Sequence, residues 1–210
     1  MNILRKLFIK TTNFTHRYQD IQSKIVSFYK LWAPLYDISI KLDPAYHRNL
    51  RDMIDSTVSQ GDSTLDIGCG TGLGSIYAAT IAQKLLGIDS SKTMLDKFQK
   101  KIIKKKIHNI ELIEGFFPQA LKPDETFKSI ITSFMLAHLS RDQRTQAISF
   151  MFKILEPGGK IGLFSAQGEI ASAFQTKKEI KHNLSFAGFC NMMIKDIDDI
   201  YRISIAEKKV

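Results

Sequence analysis

Cysteine is scarce in this chain of 210 residues: only Cys69 and Cys190 occur, and neither belongs to a Cys-x-x-Cys pair. Two such residues build neither a disulfide framework nor a cysteine metal site, so the expectation is a reducing compartment, no metal, and thiols used for packing. Long apolar runs are also missing, and no stretch approaches the length of a membrane span. The opening MNILRKLFIK is interrupted by Arg5, Lys6 and Lys10, which removes the unbroken apolar region of a secretory signal. No acidic residue precedes Asp20, so a transit peptide stays open, and no internal repeat or low-complexity tract is visible. The expected location is cytoplasmic, with attachment to a membrane surface as a variant. What is present is a globular composition, 44% hydrophobic and 24% charged, enough for one sizeable α/β core and too short for two domains with linkers. Basic residues outnumber acidic ones 30 to 21, and part of the +9 excess lies in Lys100-Lys101-Ile102-Ile103-Lys104-Lys105-Lys106. Such a run is either a solvated helix face or an attraction to an anionic surface, phospholipid or nucleic acid.

The organising stretch is Leu65-Asp66-Ile67-Gly68-Cys69-Gly70-Thr71-Gly72, an apolar strand running into a glycine-rich turn. Glycine at every second position suits a loop whose backbone takes positive φ and comes close to a ligand. A lone turn of this kind is weak evidence. A second strand, Lys84-Leu85-Leu86-Gly87-Ile88, follows with Asp89 at its carboxyl end, 17 residues beyond Gly72, which leaves room for one crossover helix. Adjacent parallel strands then place backbone amides beside a carboxylate that can receive ribose hydroxyls, the signature of a nucleoside pocket.

LDIGCGTG followed by GIDSSKTML resembles the class I S-adenosylmethionine-dependent methyltransferases. The resemblance implies S-adenosyl-L-methionine as cofactor, with Asp66 holding the methionine ammonium directly or through water and Met94 packing on adenine. Relatives often carry Gly-Asp-Ala after the third strand, with the Asp accepting from the adenine amine. This chain has Gly115-Phe116-Phe117, so no carboxylate role transfers and Phe116 is expected to pack on the ring instead. The cofactor-binding candidates are Asp66, Gly68, Cys69, Gly70 and Gly72 in the turn, Asp89, Ser90 and Met94 after the second strand, and Phe116 and Phe134 after the third and fourth.

Ile21, Ile25, Phe28 and Trp32 mark an amphipathic helix over residues 17–32, stopped by Pro34. The aromatic segment from Phe28 through Asp37 resembles the entry lid of the ubiquinone/menaquinone-type and bacterial phospholipid-type methyltransferases, although core packing also explains an aromatic cluster. Residues 1–60 are read as an N-terminal helical lid and substrate segment, and 61–210 as the cofactor-binding core of what is one domain overall. Asp43-Pro44 starts a helix. A small-residue helix is expected over 75–82, and Ser90-Ser91 is expected to cap the next, with Leu95, Phe98 and Ile102 buried. Strands are expected at 110–114 and 127–134. Ser140-x-x-Gln143 reads as a capping box, Pro157-Gly158-Gly159 as the turn into a strand at 160–165, and Thr176-x-x-Glu179 as a second box. The last two strands, 190–196 and 200–207, form a hairpin around Asp198-Asp199. The expected fold is α/β, a seven-stranded mostly parallel sheet with helices on both faces and a C-terminal antiparallel hairpin, the Rossmann-like methyltransferase arrangement. The link over 166–175 is short where many relatives insert a substrate cap.

Methyl transfer from a sulfonium needs alignment and water exclusion more than catalytic groups. His138 is the histidine expected near a strand carboxyl end and the candidate base, with a structural role as the competing reading. Tyr29 and Tyr36 are candidates to orient the acceptor or line the methyl path. His16, His47, His108 and His182 read as surface residues. An Asn/Asp-Pro-Pro-Tyr/Phe motif, Pro-Cys and a cysteine cluster are all missing, which disfavours nucleic-acid amines, cytosine carbon and arsenite as acceptors. RNA methylation and a non-catalytic cofactor-binding module remain alternatives. The favoured acceptor is a small or lipid-like molecule, a phospholipid amine or a quinone precursor, with an anionic membrane as a second partner.

Overall fold

The computed structural model describes residues 43–169 and 173–210. The expected helix at 17–32, Tyr29, Tyr36 and the basic N-terminal stretch lie outside these residues. Helix α1 (Pro44–Thr57) leads to β1 (Ser63–Ile67), α2 (Leu73–Ala78), β2 (Lys84–Asp89), α3 (Lys92–Lys105) and β3 (Ile110–Glu114). Then come β4 (Phe127–Ser133), a 3-10 turn (Met135–His138), α4 (Arg141–Ile154), β5 (Leu155–Ala166), α5 (Lys177–Ala187), β6 (Cys190–Ile197) and β7 (Tyr201–Glu207). The seven strands lie in the order β3-β2-β1-β4-β5-β7-β6, and β7 runs antiparallel to both its neighbours. The chain leaves β1 for β2 on one side and returns to β4 on the other, so a crevice opens at the strand carboxyl ends between them.

Side-chain alternation sorts the strands between two layers. Leu65, Ile67, Ile130, Ile161 and Leu163 pack with Ile148 and Met151 of α4 and Leu184 of α5. On the other face, Ile131, Phe164 and Ile203 pack with Leu50, Met53 and Ile54 of α1, while Phe98 and Ile102 of α3 pack with Cys69. Each fully buried Met53 or Ile54 contributes roughly 1.5–3 kcal/mol through removal from water. The approach of α1 is close enough that a Cβ on Gly162 would lie 2.3 Å from the Met53 sulfur, so Gly162→Ala would push the helix off the sheet. α1 is thus continuous with the core of the sheet. Its start is as the sequence predicts: the Asp43 carboxylate accepts the Tyr46 amide at 3.0 Å, and Pro44 occupies the first turn, where no donor is needed.

Both capping boxes form, at Ser140/Gln143 and Thr176/Glu179. Three local expectations differ. The helix after the glycine turn spans Leu73–Ala78 rather than 75–82, because Gly72 sets its start and the chain then tightens through bonds from Thr80 to Tyr77 (3.0 Å) and from Ile81 to Ala78 (3.0 Å). Pro157-Gly158-Gly159 does not precede β5 but lies inside it: Leu155 pairs Phe127 and Lys160 pairs Ser129, so the three residues form an irregularity that also bonds Lys208. Ser91 occupies the N-cap of α3 without a side-chain cap bond; its amide donates to Asp89 at 2.8 Å instead. Among the described residues no helix is long and apolar enough to cross a membrane.

Candidate functional site

After Ile67 the chain folds over the end of β2: the Gly68 and Cys69 amides both donate to the Ile88 carbonyl, at 2.8 and 3.1 Å. Asp89 locks this turn to the next helix. One of its carboxylate oxygens accepts the Gly70 amide and the other the Ser91 amide, each at 2.8 Å. Each oxygen keeps a lone pair for a hydroxyl donor. Gly70 has φ 55°, and a Cβ there would meet nothing within 4 Å, so the turn faces open space. Gly72 is glycine for packing as well, since a Cβ would stand 2.1 Å from the Phe98 ring. Cys69 packs its thiol among Leu95, Phe98 and Ile102, the packing role expected for it.

Asp66 is buried beneath the turn, 4% exposed, and accepts from the Ser75 hydroxyl at 2.5 Å. Burial pushes its carboxyl up to about 7; the Ser75 bond opposes this and the Asp89 charge adds to it. Burial raises the Asp89 carboxyl too, against the two amide bonds. Burial, with the Asp66 and Asp89 charges, pushes the Cys69 thiol up.

A cleft of about 1000 Å³ opens here, walled by Ile67, Ile88, Met94, Phe116, Phe117, Met135 and Leu139, with Asp89, Ser90, Ser133, His138 and Gln143 as its polar members. A second chamber of about 430 Å³ shares Gly68, Gly70 and Ser133 with it and is lined by Asp66, Tyr46 and Thr132. No Lys or Arg lines either space among the described residues. A buried carboxylate in a chamber without a cation suits a ligand with an ammonium at one end. Asp89 suits its hydroxyls, and Met94 and Phe116 offer apolar walls to a flat base. These residues fit S-adenosylmethionine.

A methyltransferase-domain family model matches residues 64–159. An uncharacterized methyltransferase of Oceanobacillus iheyensis is 24% identical over 168 residues, 78% of this chain and 76% of that protein. The demethylmenaquinone methyltransferase of Listeria monocytogenes is 28% identical over 148 residues, 67% of this chain and 61% of that enzyme. A SAM-dependent methyltransferase of Aquifex aeolicus has the same fold, with a TM-score of 0.68 at 17% identity, over 82% of this chain and 97% of that one. Residues 64–159 belong to a methyltransferase-domain family, and the chain as a whole shares the fold of the S-adenosylmethionine-dependent methyltransferases.

S-adenosylmethionine is the methyl donor that the residues of this methyltransferase fold fit. The cleft brings together Gly68, Gly70, Asp89, Ser90, Met94, Phe116, Phe134 and His138. Asp66 and Cys69 line the adjoining chamber; Gly72 is set back against Phe98. Met94 is almost wholly buried, whereas Phe116 is 40% exposed. Phe134 does not end β4 but follows it at φ 62°, ψ −5°, the left-handed region that an aromatic residue rarely occupies. Rings hold it there: Tyr46 stacks at 5.8 Å, and Phe164 and Phe174 meet it edge-on at 5.5 and 5.6 Å. His108 and His182 are exposed and His47 half-buried. Sequence reasoning missed Tyr46, whose hydroxyl bonds Ser133 at 2.9 Å, together with Ser133, Met135, Leu139 and Gln143. It also missed Arg144, buried with its guanidinium on the Leu136 carbonyl at 2.9 Å and the Ala173 carbonyl at 2.6 Å. A basic residue in register with the buried stripe of Ala147, Ile148 and Met151 was the available signal. The lysine run is not wholly solvated, because Lys101 donates to the Thr71 carbonyl of the glycine turn at 3.0 Å.

Proposed function

We propose that the methyltransferase alkylates a small, largely apolar acceptor of the quinone-precursor class. The observation that carries this reading is the cleft wall: largely aromatic and aliphatic, with no Lys or Arg among its described members. A phospholipid headgroup would bring a phosphate that calls for Arg or Lys. The demethylmenaquinone methyltransferase among the relatives supports the same choice. A phospholipid amine stays the second reading only through the aromatic entry segment, which lies outside the described residues.

In this reading Asp66 holds the cofactor ammonium, Asp89 receives the ribose hydroxyls, and Met94 and Phe116 flank the base. Gly68, Cys69, Gly70, Gly72 and Ser90 supply the backbone of the cradle. When bound, the cofactor supplies a methyl group on a good leaving group. The protein's work is to hold the acceptor in line and keep water out, for which Phe134, Met135 and Leu139 form the wall. A hydroquinone ring carbon is nucleophilic once a ring hydroxyl is ionised. The new carbon–carbon bond forms as the carbon–sulfur bond breaks, and the ring C–H proton then leaves. In this reading His138, which lines the cleft, takes a proton from the acceptor, and Tyr29 and Tyr36 orient the acceptor or line the methyl path.

The test is turnover with methyl-labelled cofactor on reduced naphthoquinone carrying a short isoprenoid chain, on phosphatidylethanolamine and on RNA. Label in the naphthoquinol alone is the expected result; label in the lipid or the RNA overturns the reading. Attachment to an anionic membrane through the basic N-terminal stretch belongs to the same proposal. It predicts salt-sensitive cosedimentation with phosphatidylglycerol vesicles that is lost when the chain starts at Thr12.

A further inference from the structure

Buried donors without partners are rare in folded proteins, because losing water without gaining a protein bond is costly. Gln175 holds one: its side-chain nitrogen has no hydrogen-bond partner among the described residues, and the residue is 5% exposed. Gln175 is one of the residues lining a small cavity, with Thr132, Phe134, Leu136, Phe164 and Ser165. This cavity sits at the carboxyl ends of β4 and β5, where Thr132 pairs Leu163 and Ser133 pairs Phe164. Phe134 is the wall it shares with the cleft.

The position of Gln175 is fixed from behind. Its carbonyl accepts the Gly168 amide at 3.1 Å and the Arg202 guanidinium at 3.0 Å. Arg202, 1% exposed, is itself held by Asp196 at 2.6 Å and Glu169 at 2.9 Å. Thr176, the next residue, caps α5. The amide is therefore presented from a rigid backbone.

We propose that Gln175 is a specificity-determining residue that donates a hydrogen bond to an oxygen of the methyl acceptor. The inference rests on the acceptor class proposed above. The glycine turn and Asp89 assign the cofactor to the β1–β2 side. In-line transfer then brings the acceptor from the far side of β4, where the cavity lies. A neutral amide N–H pairs with a carbonyl, hydroxyl or phenolate oxygen and not with an ammonium. It therefore selects a quinol over a protonated amine, and holds a ring oxygen under Phe134 while a ring carbon meets the methyl group.

The experiment compares wild type, Gln175→Leu and Gln175→Glu with the isoprenyl naphthoquinol as acceptor. The expected result for Gln175→Leu is an acceptor KM raised at least about tenfold, with unchanged affinity for S-adenosylhomocysteine and an unchanged or higher Tm. Gln175→Glu loses more, because a carboxylate repels the ionised quinol. A second readout is the side-chain amide resonance of Gln175 in 15N-labelled enzyme, identified by its loss in Gln175→Leu. It should shift when naphthoquinol is added to the S-adenosylhomocysteine complex. If wild type methylates the naphthoquinol while KM and the resonance do not respond, the cavity holds only water and the proposal falls with the acceptor class intact. If wild type leaves the naphthoquinol unmethylated, the acceptor class falls and the proposal with it.

Discussion

The two halves of the site are built differently. On the cofactor side, every polar group named has a partner: Asp66 has Ser75, Asp89 has two amides, and the turn amides have Ile88. On the side proposed for the acceptor, rings surround Phe134 in its left-handed conformation, buried arginines grip carbonyls, and the Gln175 side-chain nitrogen has no partner among the described residues. The first half is assembled from neighbours in sequence; the second comes from β4, α4, β5, α5 and β7 and exists only once the sheet has closed. Cofactor binding is therefore expected to respond to single substitutions in the turn and acceptor binding to changes scattered along the chain.

The sharpest break in this comparison is Asp66→Asn. Removing one partner of a buried charge pair costs about 3 kcal/mol, so cofactor affinity should fall by about two decades while acceptor KM holds. Calorimetry with S-adenosylhomocysteine measures the first and initial rates the second; comparable losses on both sides would erase the distinction. The same residue predicts a pH dependence. Its carboxyl is raised from an ordinary value of 3.8 to about 7, so the native state binds a proton that the unfolded chain has released over that interval. The stabilisation is fully present below 3.8 and lost as pH rises through 7, on the order of 4 kcal/mol at most. Denaturant unfolding of wild type and Asp66→Asn between pH 5 and 8 should show the variant declining less steeply than wild type. Cofactor affinity should move the opposite way, rising with pH as the carboxylate ionises, with proton release on binding below pH 7.

Asp89→Ala ranks next. It removes an acceptor for the ribose hydroxyls and the clamp between Gly70 and Ser91, for a loss of roughly 1.5–3 kcal/mol, or one to two decades. Equal affinities for both proteins would remove Asp89 from the site. Phe116→Ala is a smaller change, about 1 kcal/mol of ring packing. Phe116→Asp should be tolerated, because it restores the acceptor that relatives place there. Equal losses from both would make Phe116 a packing residue.

The difference between the halves also explains what could be read beforehand. Asp66, the glycines and Asp89 announce themselves because strand, turn and carboxylate are local, and both capping boxes follow from four-residue patterns. Tyr46, Ser133, Gln143, Arg144 and Gln175 carry no such pattern. Tyr46 falls on a stripe that already reads as core, and the Gln143 side chain is explained by its cap bond to Ser140 at 2.9 Å. What brings such residues to the site is long-range packing, as of Tyr46 on Ser133 and Phe134, which no window of sequence contains.

The smallest expected effect concerns the lysine run. α3 begins at the cleft, where Met94 lines the wall, and runs 14 residues back along the sheet to Lys105. At 1.5 Å per residue that carries Lys104 and Lys105 about 20 Å away, to the strand amino ends beside the start of β3. Both are exposed and lie in the last turn, where positive charge complements the helix dipole by a few tenths of a kcal/mol. A membrane held by these lysines would face the end of the sheet remote from the cleft, so they cannot deliver an amphiphilic acceptor to it. Reversing both, Lys104→Glu with Lys105→Glu, should leave kcat/KM for an acceptor carried in phosphatidylglycerol vesicles within about twofold of wild type, with a slightly lower Tm. Lys101 stays untouched in this variant because it supports the glycine turn. If turnover on vesicles falls by more than about tenfold while turnover on a short-chain acceptor in solution does not, the lysine end docks on the membrane. Acceptor delivery would then extend beyond the crevice between β1 and β4.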